Sequence, residues 1–138
     1  MSEISTEFLE RCVTTLEKSY ELLMKSEEES IDYKIYRNAL MKAFEMTLEQ
    51  SGKLLIKKIT PYFPTKKSAD TLLFKDLFRS AARYGLLSQD EVERWLKYRD
   101  NRNNTAHDYG QKFAQETLSF IKYFIKDAKN LKKVIDNE

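Results

Sequence analysis

The chain of 138 residues has one cysteine, one histidine, three glycines and two prolines. A lone thiol excludes an internal disulfide framework, so a reducing, cytoplasmic setting is expected. Cys12 falls on an apolar stripe and reads as a buried structural thiol. With a single distant histidine it makes a poor case for a thiol enzyme. The shortage of glycine and proline, set beside abundant Lys, Glu and Leu, favours long helices over sheet. No apolar run approaches the length of a membrane span, so none is expected. The N-terminus has no basic region followed by an apolar run, so no signal peptide is expected either. Neither charge sign is in large excess: 24 basic against 22 acidic residues leave a net charge of +2. That excludes a basic arm of the kind carried by strong nonspecific DNA binders, and any nucleic-acid contact needs a local basic patch.

What is present is helical periodicity. The length suits one domain, residues 1–138, with a core that needs no metal or disulfide. Ile4, Phe8, Cys12, Leu16, Tyr20 and Leu23, widened by Leu9 and Val13, predict a first helix over about residues 4–27. Glu27, Glu28 and Glu29 read as a solvated turn, and Ser30 as the cap of a second, long helix. The stripe of that helix runs Ile31, Ile35, Ala39, Leu40, Phe44, Leu48, Leu55 and Ile59, up to Pro61. Gly52 on its apolar face predicts close approach of a neighbouring helix. Leu72, Leu73, Leu77, Phe78 and Ala81 predict a shorter helix over about 69–84, closed by a left-handed cap at Gly85. Ser88-Gln89-Asp90-Glu91 has the form of a capping box and opens a helix through Val92, Trp95 and Leu96. A last helix follows Asp108 and Gln111, with Ala114, Leu118, Ile121, Phe124, Ile125, Leu131 and Ile135 as its stripe. The fold class is all-α, an up-and-down antiparallel bundle of about five helices, the first, second and last forming its main body. Phe8, Leu16, Phe44, Leu48, Leu55, Trp95, Leu118, Ile121 and Ile125 are the expected core.

Between the last two helical patterns lies Asp100-Asn101-Arg102-Asn103-Asn104-Thr105-Ala106-His107-Asp108-Tyr109-Gly110, which holds the chain's histidine and three asparagines in four positions. On one continuous helix Arg102 and His107 would stand about 140° apart. Asparagine competes for backbone hydrogen bonds and tolerates left-handed geometry, so a kink or turn here can bring the two together. Arginine offers phosphate a planar fork of donors, and histidine exchanges protons near neutral pH. The pair suits a phosphodiester. The plainer reading is a capping or surface histidine, with Asp100 and Asp108 as caps. One histidine without cysteine or histidine partners makes no zinc site, so no metal or cofactor is expected.

Arg102-Asn103-Asn104-Thr105-Ala106-His107-Asp108-Tyr109 resembles the Arg-x4-His-x-Tyr signature of HEPN domains. It is most similar to small HEPN proteins encoded beside a minimal nucleotidyltransferase, known as nucleotidyltransferase substrate-binding proteins. Phe44-Glu45-Met46-Thr47-Leu48-Glu49 with Lys53, Ala82-Arg83-Tyr84-Gly85-Leu86-Leu87, and Trp95 seven residues before Arg102 extend the resemblance over roughly residues 8–130. Gln50-Ser51-Gly52 and the polar 98–101 segment depart from it. The resemblance implies a dimerising helical bundle with the motifs near the two-fold interface. It further implies a metal-independent ribonuclease toxin, silenced when the partner nucleotidyltransferase transfers AMP to the motif tyrosine, here Tyr109. In that picture Arg102 and His107 are catalytic, and Asn103 positions a phosphate oxygen. The alternative is a non-catalytic subunit that holds a nucleotide or presents substrate to the nucleotidyltransferase. A structural dimer whose motif only caps helices is the third reading. A separate argument favours a dimer: cleavage through a 2′-hydroxyl needs one proton acceptor and one donor, and a two-fold interface supplies two copies of His107. Tyr109 is the other candidate for the second group.

Overall fold

In the computed structural model, residues 4–70, 73–104 and 111–137 are described, with the side chains of Asp70, Asn103, Asn104, Gln111 and Phe113 outside the description. Among the described residues every regular element is helical: α1 (Glu7–Met24), α2 (Ile31–Ile59), a 3-10 turn (Thr60–Tyr62), α3 (Lys66–Asp70), α4 (Phe74–Arg83), α5 (Gln89–Asn104) and α6 (Gln111–Asp136). The helical class is the expected one, with the stretch foreseen as one helix over 69–84 holding the end of α3 and all of α4 instead. Among the described residues no helix is long and apolar enough to cross a membrane.

The termini of the helices follow local chemistry. Ser30 Oγ accepts the Tyr33 N–H at 3.0 Å and caps α2. At the end of α4, Gly85 takes a φ of +75°, and the Leu86 N–H reaches back to the Ala81 carbonyl at 2.9 Å. This is the glycine-closed helix end the sequence indicates. Ser88 and Glu91 satisfy one another's backbone N–H groups at 3.1 Å in a capping box. Thr6, just before α1, donates its hydroxyl to Asp136 at 2.7 Å and ties the start of α1 to the end of α6.

Two expectations about the buried rows are corrected. Phe8 is 46% exposed, because a row of residues four apart drifts about 40° per step around a helix and its first member leaves the contact face. The line that α1 buries is Leu9, Cys12, Val13, Leu16, Ser19 and Leu23. On α2, Ile31 and Ile35 are exposed and burial begins at Leu40. The inward row of the first turns is Tyr33 and Tyr36, which pack on the core. Leu118 and Ile125 are half-buried, while Leu16, Phe44, Leu48, Leu55, Trp95 and Ile121 are buried as expected.

α1, α2 and α6 pack on one another, and α4 and α5 close the side of α2 and α6. An aromatic centre joins four helices: Phe44 of α2 lies 4.7 Å from Phe124 of α6, and Trp95 of α5 stacks on Phe78 of α4 at 5.1 Å. Gly52 of α2 faces the Phe74 ring of α4, which a Cβ there would meet at 3.6 Å. The approach foreseen at that glycine is therefore made by a ring at ordinary contact distance. Thr47 and Ser51, buried on α2, return their hydroxyls to the carbonyls of Ala43 and Thr47 at 2.7 Å.

Candidate functional site

The site is built on the far end of α5, and α5 is fastened before it gets there. Trp95 is fully buried among Phe78, Tyr98 and Phe124. One residue earlier Arg94 grips Asp127 of α6 with two donors, Nε at 2.8 Å and a terminal nitrogen at 2.9 Å. Tyr98, one turn later, donates its hydroxyl to the same carboxylate at 2.5 Å. Burying a carboxylate is costly unless it is paired and hydrogen-bonded, and three donors meet that demand. The hydrogen bond to Asp127 raises the Arg94 guanidinium above its ordinary range, and it stays charged. Burial, then the hydrogen bond to Asp127, pushes the Tyr98 phenol well above its ordinary range, so it stays a donor. A last clip joins Asn101 Nδ2 to Thr117 Oγ1 at 3.1 Å. Residues pair in opposite order along the two helices, which makes α5 and α6 antiparallel and fixes the end of one against the start of the other.

Arg102 lies in the last turn of α5 and is half-buried. Its charged neighbours are occupied. Arg99 lies over the Phe74 ring at 5.1 Å, and Asp100 is 3.8 Å from Lys75. Arg102 makes no ion pair with any described residue, and its planar fork of donors is of the kind that suits an anion. The backbone of Asn103 continues α5, and its side chain is outside the description. His107 and Tyr109, and Asp108, expected as a cap, lie outside the described residues, in the stretch between α5 and α6. Among the four residues singled out from the sequence, Arg102 is thus the side chain whose surroundings are on view. Among the described residues no three His, Cys, Asp or Glu side chains gather into a metal-binding group.

Sequence reasoning missed Arg94, Tyr98 and Asp127. The available signal was Asp127 itself, a carboxylate inside the core stripe of α6 between Phe124 and Leu131, and Arg94 and Tyr98 one turn apart on α5.

An all-α bundle whose fifth helix carries Arg102 in its last turn and leads into the sequence Asn103–Tyr109 is of the HEPN class. Over residues 6–137 the sequence matches the family described as "Nucleotidyltransferase substrate binding protein like", and the chain belongs to that family. A Haemophilus influenzae protein named probable ribonuclease HepT is 32% identical over 82 residues, which span 59% of this chain and 55% of that protein. The fold is shared with HI0074 of Haemophilus influenzae, described as the substrate binding domain of a nucleotidyltransferase. The TM-score is 0.81 with 22% identity over 96% of this chain and all of that one. A Thermus thermophilus protein has a TM-score of 0.72 with 23% identity, over 94% of this chain and 99% of its own.

Proposed function

We propose that this chain is a single-domain, cytoplasmic HEPN toxin, a metal-independent endoribonuclease, paired with a minimal nucleotidyltransferase encoded nearby that acts as its antitoxin. The observation that carries the reading is Arg102, half-buried in the last turn of the fastened α5 without a described ion-pair partner, one residue before Asn103 and five before His107 in the sequence. The likeness to a protein named probable ribonuclease HepT supports it. Arg102 holds and neutralises the scissile phosphate, and Asn103 orients one of its oxygens. The RNA 2′-hydroxyl gives up its proton and attacks phosphorus, and the 5′-oxygen leaves with a proton. His107 serves as acid or base in this exchange, and a second His107 across a homodimer cleft, or Tyr109, serves as the other group. Silencing is by adenylylation. The Tyr109 oxygen attacks the α-phosphorus of ATP, pyrophosphate leaves, and a base on the partner enzyme takes the phenol proton. The resulting phosphodiester pairs with Arg102 and blocks the RNA position.

His107→Ala and Arg102→Ala should each abolish RNA cleavage and toxicity with the helical fold intact by circular dichroism, and a chelator should leave wild-type cleavage unchanged. Incubation with the partner, ATP and magnesium should add the mass of one or more AMP groups, and Tyr109→Phe should remove the gain. AMP mapped to a residue far from Arg102 would sink the silencing scheme.

The family description favours a second reading, a non-catalytic subunit that binds a nucleotide or substrate for the nucleotidyltransferase. It prevails if wild-type protein cleaves no RNA and His107→Ala changes only nucleotide or partner binding.

A further inference from the structure

The outer face of α6 carries lysines whose charge the bundle leaves unbalanced. Lys122, Lys126 and Lys133 are exposed. Their spacing of four and seven residues places them within about 40° of one another and spreads them over about 16 Å of helix. None makes an ion pair with a described residue, whereas Lys129 beside them reaches Glu17 at 2.7 Å. Of the three carboxylates of α6, Asp127 is committed to Arg94 and Tyr98 and Asp136 to Lys132 and Thr6, and Glu116 is exposed six residues before Lys122. Between this row and the start of α5 runs a groove of about 630 Å³. Glu91 on its far bank is taken by the Ser88 N–H and by Asn130, which leaves Asp90 as its carboxylate without a described partner. Next to Lys122 and three residues before Lys126, the ring of Tyr123 is 64% exposed. Lys112, exposed at the start of α6, stands on the same side of the helix, immediately beyond the connection that carries His107 and Tyr109.

We propose that this face, from Lys112 through Lys122, Tyr123 and Lys126 to Lys133, is a track for the single RNA strand that flanks the phosphate held at Arg102. The proposal rests on the RNA-cleaving reading above. Ammonium groups at regular spacing neutralise successive phosphates, and an exposed aromatic ring among them gives a base a stacking platform. A protein interface needs an apolar centre. Here the exposed surface around Tyr123 is Gln115, Glu116, Ser119, Lys122, Lys126 and Lys133, which is polar and, with three lysines to one carboxylate, basic on balance, as nucleic-acid surfaces are.

The test is fluorescence anisotropy with a labelled oligouridylate of about 20 nucleotides, long enough to run past the cleft. Proteins carry His107→Ala to prevent cleavage. Combining Lys122→Gln, Lys126→Gln and Lys133→Gln should weaken binding at least about tenfold and lower the slope of log affinity against log salt by about 2, at roughly 0.7 per phosphate contact. Tyr123→Ala should weaken binding about fivefold or more with the slope unchanged. In the otherwise wild-type chain neither change should alter cleavage of a tetranucleotide, which is too short to leave the cleft. An unchanged slope in the triple variant, with Arg102→Ala still lowering affinity, overturns the track and leaves the cleft reading standing. Slope lost in the triple variant while wild-type protein cleaves nothing supports the track and removes the nuclease reading. Loss of nucleotidyltransferase capture by the triple variant with RNA affinity intact assigns the face to an acidic protein surface and overturns the proposal.

Discussion

At the scale of the residue, the Tyr98–Asp127–Arg94 group shows how one carboxylate can be buried and still stabilise. Tyr98 is 2% exposed and Asp127 3% exposed, so their hydrogen bond is made away from solvent. A hydrogen bond to a charged group contributes about 1.5–3 kcal/mol, and Tyr98→Phe should cost about that much at neutral pH by urea denaturation. The pH dependence has a definite sign. Folding raises the Tyr98 phenol, through burial first and the hydrogen bond to Asp127 second. Its stabilising contribution is therefore full below the ordinary phenol value of about 10 and is lost as pH rises beyond it, where the unfolded chain ionises first. The stability gap between wild type and Tyr98→Phe should narrow by about 1.4 kcal/mol per pH unit above roughly pH 10. A gap that stays constant up to about pH 11 would show that the buried phenol is not what titrates.

At the scale of the element, helix ends were legible in the sequence and helix partners were not. Ser30, Gly85 and the Ser88/Glu91 box act on backbone groups within a few residues, so the local sequence suffices to place them. Periodicity names a row, but which row meets a neighbour depends on the neighbour. That is why Phe8, Ile31 and Ile35 were expected inside and stand in solvent. The interruption of the 69–84 helix had no breaker to announce it, since no glycine or proline falls in that stretch. Arg102 is singled out by its motif. Its support was not legible, because Arg94 and Tyr98 find Asp127 across 33 and 29 residues of chain. Gly85 gives the sharpest element-scale test. A Cβ there meets nothing within 4 Å, so the cost of substitution lies in the backbone alone. Gly85→Ala should lose about 1 kcal/mol, the left-handed penalty less the reduced entropy of the unfolded chain. Gly85→Asn should lose less, because asparagine tolerates that conformation. Equal losses for the two in urea denaturation would place the cause in packing rather than in φ.

At the scale of the whole molecule, one histidine per chain has to be reconciled with the proposed RNA cleavage, which needs two proton carriers. A symmetric dimer with Arg102 and His107 facing one cleft meets that need, because the two-fold axis repeats every group. Tyr109 meets it within a single chain. The two schemes differ in what happens when active and inactive chains mix. If one cleft uses both copies of His107, a dimer of one wild-type chain and one His107→Ala chain has lost either its acid or its base. With subunits exchanging freely and His107→Ala in ninefold excess, about one tenth of wild-type chains find a wild-type partner, so cleavage per wild-type chain should fall to about a tenth. If each chain carries its own site, cleavage per wild-type chain should not change. The dimer itself is checked separately: light scattering should give twice the chain mass at high micromolar concentration, and the thermal midpoint should rise with chain concentration, because association stabilises the folded state by mass action. A monomer at that concentration, with a midpoint independent of dilution, would remove the composite cleft and leave Tyr109 as the second proton carrier.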